Sequence, residues 1–267
     1  MTSSTSTTTT AQPMAWNVSI HALNQLLHSA DLAVVAAQLA STHYDSGVDI
    51  GALPLDEWTS YVAAEFQTLP SKAMTWRDGH VFITELPLPL HTALVAACNS
   101  VVEAATGTSN WHLKHYRSAM VASLDLLIEP DCSYGPDRGV GGSLPRGLLS
   151  WADYHTVKVE IGVTRGWTQL DAKASAWHRF PGVQYILCIH VSSDRRVREF
   201  KLYDVVAGQP LAPVAPRPIE ATTVLSLDSR RLLGLPASER FPTRFAQPNM
   251  RVSLSDIVTI AIAKQTN

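Results

Sequence analysis

The segment His155–Val163 constrains this chain more than any other. It reads His-Thr-Val-Lys-Val-Glu-Ile-Gly-Val, a β-branched run with the alternation of a strand. Thr168–His178 follows, with Leu170, Lys173, Ala174 and Trp177 on one helical stripe. A second apolar strand is expected over 183–192 and a third over 196–206. Upstream, helices are expected over 18–43, from Pro54, and from Pro87 to about Ala105, with a hairpin at 74–84 turned by Asp78-Gly79. Another strand is expected over 117–130, a short one over 222–227, and a terminal helix over 254–264 capped by Ser253 or Ser255. That order predicts an α/β fold: a sheet with helices on its faces.

Within this frame the charged residues are placed unusually. Leu124-Asp-Leu-Leu-Ile-Glu-Pro-Asp131 brings Glu129 and Asp131 to the end of the expected strand, with their side chains on one face. Glu160 is out of phase with Val157, Val159, Ile161 and Val163, so it faces away from the most apolar side. Lys173, thirteen residues later, lies on the apolar stripe of its helix, which a surface lysine would avoid. Two explanations stay open. Either Lys173 snorkels at the edge of the stripe, or it aims at buried carboxylates, where pairing with Asp131 and Glu160 offsets its desolvation. Lys158 shares a strand face with Glu160 and competes for the lysine role.

The chemistry follows from the residue types. Carboxylate oxygens on neighbouring strands suit Mg²⁺ or Mn²⁺. Such an ion polarises a phosphate and lowers the pKa of a bound water, and a lysine beside it stabilises charge developing on phosphoryl oxygens. The bland alternative is a set of strand-end acids with one surface ion pair.

The 267 residues are 46% hydrophobic and 16% charged, with net charge −2, which excludes binding of nucleic acid by bulk positive charge. Cys98, Cys132 and Cys188 are odd in number and widely spaced, against a disulfide framework or zinc site and in favour of a reducing, intracellular compartment, cytoplasmic or nuclear. No apolar run reaches the roughly 18 residues of a membrane span. The expected organisation is a polar Ser/Thr-rich disordered tail over 1–15, a helical extension over 16–53, and one domain over 54–267, with a long Gly-rich loop at 135–153.

Taken in order, Glu129-Pro-Asp131, Val157-Lys-Val-Glu160-Ile-Gly-Val, Leu170-Asp-Ala-Lys173 and Pro181-Gly-Val-Gln-Tyr-Ile-Leu-Cys-Ile189 resemble the PD-(D/E)XK nuclease superfamily. More narrowly, they resemble the Uma-type restriction endonuclease family and fungal relatives that share its core. In that family the motif lysine often moves to the following helix; here Gly162 stands two residues after Glu160, and Lys173 stands at the migrated position. The resemblance covers roughly residues 54–260 and is most specific over 124–190. It implies a restriction-endonuclease-like core, a mixed sheet flanked by helices, and Mg²⁺- or Mn²⁺-dependent cleavage of DNA. Asp131 and Glu160 would hold the metal, Glu129 would assist, and Lys173 would position the attacking water. A homodimer is the usual form for cutting both strands. A catalytically inactive relative that binds nucleic acid or protein is the other reading, because Thr75 stands where the family carries a glutamate; Glu103 is the nearest substitute on the first core helix.

Other motifs are weaker. His112 and His115 would pair on a metal only if helical. Gly139-Val-Gly-Gly142 lacks the Lys-Ser or Lys-Thr of a phosphate-binding loop. Arg195, Arg196 and Arg198 read either as a solvated turn or as phosphate contacts.

Overall fold

The computed structural model describes residues 19–39, 47–64, 66–116, 121–123 and 126–265. Helices α1 (Ser19–Ser29) and α2 (Leu32–Leu39) come first, followed by strand β1 (Val48–Ala52), helix α3 (Leu55–Val62) and strands β2 (Met74–Arg77) and β3 (His80–Ile83). The β2–β3 hairpin turns at Asp78 and Gly79, both at positive φ, as an Asp-Gly turn of this kind requires. β1 pairs antiparallel with β3, giving a small sheet in the order β1-β3-β2. Its apolar side meets the helices through Leu23, Leu27, Trp58, Tyr61, Val81 and Ile83. Val48–Ala52 thus lies within the stretch expected to be a helical extension and is instead a strand. Five residues interrupted by Gly51 carry no helical repeat, and backbone pairing to β3 decides their state. The tail over 1–15 lies outside the described residues.

The central layer begins with α4 (Pro89–Ala105), then β4 (Leu113–His115), β5 (Val121–Ser123), β6 (Leu126–Ile128), β7 (Cys132–Pro136) and β8 (Val157–Gly162). It continues with α5 (Trp167–Trp177), β9 (Tyr185–Val191), β10 (Arg198–Asp204), β11 (Arg217–Pro218), β12 (Val224–Asp228), α6 (Ser229–Leu232), β13 (Asn249–Ser253) and α7 (Leu254–Ala263). The main sheet is six-stranded and mixed, in the order β11-β10-β9-β8-β7-β4, with β8 and β9 parallel across the α5 crossover. The fold is therefore α/β, as the element order predicts. One face, including Val157, Val159, Ile161, Leu187 and Ile189, packs on α4, α7 and the β12–β13 pair. The other meets α5, where Leu170, Ala174 and Trp177 cover Ile186, Cys188 and Tyr203. α7 is capped by Ser253, whose side chain accepts from Asp256 N.

The expected strand over 117–130 is not one strand. β5 and β6 pair with each other away from the main sheet, and the sheet strand is β7, which begins only after Asp131. Pro130 accounts for the break: it cannot donate to a ladder, so sheet pairing starts beyond it. The strand then runs into the stretch expected to be loop. Gly135 makes this possible, because a Cβ there would lie 1.8 Å from the Tyr154 carbonyl oxygen. No helix among the described residues is long and apolar enough to cross a membrane.

Candidate functional site

Pairing of Cys132 with Val159 aligns the start of β7 with the middle of β8. Asp131 thereby reaches β8, and its Oδ2 accepts from Ile161 N at 2.8 Å. Glu160 points from β8 towards α5, opposite to its apolar neighbours, as its phase predicts, and is fully buried. The turn of α5 that carries Leu170, Ala174 and Trp177 into the core also carries Lys173 onto the carboxylate. Lys173 Nζ lies 3.0 Å from Glu160 Oε2, and Trp177 Nε1 donates to Glu160 Oε1 at 2.6 Å. Lys173 thus pairs directly with Glu160 rather than snorkelling.

Three further residues complete the cluster, and sequence reasoning missed all three as site residues. Glu85, just after β3, is buried, and its Oε1 accepts from Val163 N at 2.8 Å. Arg165, in the loop between β8 and α5, is also buried. Its Nη1 lies 3.2 Å from Glu160 Oε2 and 3.9 Å from Asp131 Oδ2, and its Nη2 lies 3.2 Å from Glu85 Oε2. His91, on the first turn of α4, places Nε2 3.2 Å from Asp131 Oδ1. The signal for Glu85 was a lone acid between apolar runs, Phe82-Ile-Thr-Glu-Leu-Pro; that for Arg165 was a lone cation directly after a buried strand. Gly162 brings Arg165 back onto the cluster, since a Cβ there would lie 2.5 Å from Arg165 O. The two-residue offset after Glu160 is therefore closed to a lysine.

Glu129 contributes differently from expectation. It is not on the same strand as Asp131, and its contact with the site is through its backbone carbonyl, which accepts from Lys173 Nζ at 3.3 Å. Glu103 is exposed towards the end of α4, away from the cluster. Lys158 is buried, with Nζ 2.6 Å from His155 Nδ1 and 4.3 Å from the centre of the Trp177 ring, so it does not take the lysine role at Glu160. His112 precedes β4 and His115 ends it, so neither is on a helix, and their rings stand against Phe245 and Tyr134. Arg195 and Arg196 form the turn between β9 and β10 and Arg198 opens β10; Arg195 is at positive φ, and Arg196 pairs with the exposed Asp194. Gly162 is in register with His190, so this turn lies at the same end of the sheet as the carboxylates.

The ionisation of the cluster follows from its burial. Burial works against a charged Asp131, but His91, Arg165 and Lys173 outweigh it and hold this carboxyl well below its usual range. Burial pushes the Glu160 carboxyl up, with Asp131 adding to the rise and Lys173 and Arg165 opposing it. Burial disfavours a charged His91 ring, yet Asp131 and Glu85 raise its pKa. Lys158 is lowered to about 7, by burial. Only Lys173 gives the cluster substantial solvent contact, with 19% of its side chain exposed, against 3% or less for Glu85, Asp131, Glu160 and Arg165.

No family model and no curated protein matches the chain. Among solved structures, it is similar to a protein from Anabaena variabilis described as a candidate nuclease belonging to DUF820. The identity is 13%, the match covers 78% of this chain and 99% of that one, and the TM-score is 0.46. At that similarity the match describes the neighbour, and the chemistry of this chain has to be read from its own residues.

The donor type suits a hard divalent cation, but the carboxylates of Glu85, Asp131 and Glu160 converge on the Arg165 guanidinium and do not form a metal site. Glu85 Oε2 is buried without a hydrogen-bond partner. The centre itself is held by the Arg165 guanidinium, and among the described residues no group of three or more His, Cys, Asp or Glu side chains stands arranged around an open metal position.

Proposed function

We propose that this chain is a nuclease that hydrolyses DNA phosphodiester bonds with Mg²⁺ or Mn²⁺. The observation that carries the reading is the contact of Lys173 with Glu160 on a helix and strand thirteen residues apart in sequence, with Asp131 just before the neighbouring strand. Asp131 and Glu160, joined by Glu85, would hold the ion, and Glu129 supplies a carbonyl beside Lys173. When bound, the ion would polarise the scissile phosphate and acidify a water.

The chain's own groups do the rest. Lys173 is the partly exposed cation of the cluster, placed to orient the attacking water and to stabilise charge on the phosphoryl oxygens. Trp177 and Ile161 N fix the two carboxylates by hydrogen bonds. Arg195, Arg196 and Arg198 supply local positive charge at the same end of the sheet, for contact with DNA phosphates in an otherwise slightly acidic protein. Two copies acting together would cut both strands. The three free, buried cysteines suit a reducing intracellular setting.

The presence of Arg165 among the carboxylates favours a second reading, a nuclease fold that binds DNA or protein without cleaving. The two separate in one assay. Supercoiled plasmid is incubated with Mg²⁺ and either wild type or Lys173→Ala. Cleavage by wild type, reduced on the order of 10²-fold in the variant, supports catalysis; absence of nicking by both, with retention of labelled DNA in a gel shift with Ca²⁺, supports the binding module.

A further inference from the structure

The C-terminal half of α4 takes no part in the carboxylate cluster, and there the fold holds a polar cavity. β4, at the edge of the main sheet, is only three residues long. His115 on β4 is in register with Tyr134 on β7, so the two rings stand side by side on one face of the sheet, with centres 5.3 Å apart. Asn99 and Glu103 face them from α4, one helical turn apart. Between these walls lies a cavity of about 240 Å³, also lined by Val102, Leu113 and Asn110. Pockets for drug-sized ligands start at about 300 Å³, so this one suits a smaller, flat group. The two amides are each held from one side. Asn99 Oδ1 accepts from Tyr134 OH at 2.6 Å, and Asn110 Oδ1 accepts from His115 N at 2.7 Å. These bonds orient the amides and leave each Nδ2 group, a pair of N–H donors, to the cavity.

The lining thus offers amide donors and one carboxylate, with apolar side chains beneath and two rings beside. A matching ligand is planar, carries acceptors for the amides and presents adjacent N–H donors to the carboxylate. Among the nucleobases guanine meets all three demands: O6 and N7 accept, and N1–H and the 2-amino group donate side by side. Adenine and cytosine carry a ring acceptor next to their amine, which would face the carboxylate of Glu103. We propose that this cavity binds guanine, as a free nucleotide or as an unpaired base of a nucleic-acid strand. N1–H and the 2-amino group donate to Glu103, O6 and N7 accept from Asn99 and Asn110, and the ring lies against Tyr134 and His115, the usual manner of reading an unstacked base. Glu103 is twelve residues beyond His91 on α4, about 18 Å along the helix from the carboxylate cluster. The site goes beyond the nuclease reading and does not rest on it.

Binding of GMP, IMP and AMP to the full chain is measured by titration calorimetry. The three share a phosphate, so differences among them report the base, and IMP differs from GMP only in lacking the 2-amino group. A hydrogen bond to a charged group corresponds to about ten-fold or more in affinity. GMP should therefore bind at least about ten-fold more tightly than IMP or AMP, and Glu103→Gln should weaken GMP by a similar factor. Glu103 is exposed, so its replacement leaves the core intact, and circular dichroism confirms folding. Asn110→Ala, also at an exposed residue, provides a second variant with the same expected loss. Absence of GMP binding to wild type at millimolar concentration overturns the proposal, as does equal affinity for the three nucleotides or unchanged GMP affinity in folded Glu103→Gln. An oligothymidylate carrying one central guanine, compared with plain oligothymidylate, identifies the source of the base. Tighter binding of the guanine-bearing strand than of GMP assigns the cavity to a strand, and GMP binding as tightly or more tightly assigns it to the free nucleotide; both uphold the site.

Discussion

Trp177 Nε1 donates a hydrogen bond to Glu160 Oε1 at 2.6 Å, so the core side of α5 fixes the orientation of a fully buried carboxylate on β8. A hydrogen bond to a buried charged group contributes about 1.5–3 kcal/mol. Trp177→Phe keeps the apolar contact and removes the donor. It is expected to lower unfolding stability by about 2 kcal/mol in urea and to slow plasmid nicking. Unchanged stability would mean that the indole nitrogen does not hold Glu160.

The two lysines near Glu160, Lys158 buried and Lys173 partly exposed, should behave in opposite ways. Lys158 meets His155 and the Trp177 ring and is pulled down to about 7 by burial, so it contributes little charge to the cluster. Replacing a poorly solvated charged side chain with an apolar one of similar length is often neutral or stabilising. Lys158→Met should retain nicking and be as stable as wild type, or more stable by about 1–2 kcal/mol. Loss of nicking in Lys158→Met with retention in Lys173→Ala would exchange the roles assigned to the two residues.

His155 gives the fold a specific acid sensitivity. Burial, with Lys158 adding to it, lowers its pKa to about 3 from an ordinary value of 6.5. Between those values the unfolded chain binds a proton that the folded chain refuses, so stability falls as the pH drops from about 6.5 towards 3, by up to about 1.4 kcal/mol per unit. His155→Gln retains an acceptor for Lys158 and removes this proton. Melting temperatures at about pH 7 and pH 5 should differ less in the variant than in wild type; equal differences would contradict the assignment.

Gly135 allows β7 to pass under Tyr154. A Cβ at this position would overlap the Tyr154 carbonyl oxygen, so Gly135→Ala must displace backbone rather than a flexible side chain. A loss of at least about 1–3 kcal/mol is expected from overpacking alone, measured by denaturant unfolding. Because β7 starts beside Asp131, nicking should fall with it.

Much of this arrangement was legible in the sequence because it follows from periodicity. The phase of Glu160 against Val157, Val159 and Ile161, and of Lys173 against Leu170 and Trp177, placed both side chains correctly before any contact was known. The sheet strand was misplaced because the apolar run ends before Glu129-Pro-Asp131, whereas Cys132-Ser-Tyr-Gly-Pro136, which does pair into the sheet, carries little apolar alternation. Glu129 lost its expected role for the same reason: parity along a strand means nothing where no strand exists. Glu85 and Arg165 escaped because each is a single charge that depends on partners far away in sequence, although Arg165 also reaches the nearby Glu160. Val163 N, which fixes Glu85, is 78 residues on, and the Lys72 carbonyl that tethers Arg165 is 93 residues back. Long-range pairing of this kind leaves no periodic trace, only the anomaly of a charge in an apolar context.

The most direct measurement is the Mg²⁺ dependence of supercoiled-plasmid cleavage by wild type and Glu160→Gln, with chelation as the control. The account predicts nicking by wild type that rises with Mg²⁺ and stops on chelation, with no detectable nicking by Glu160→Gln. Intact plasmid with wild type at every Mg²⁺ concentration, or equal cleavage by both proteins, would contradict it.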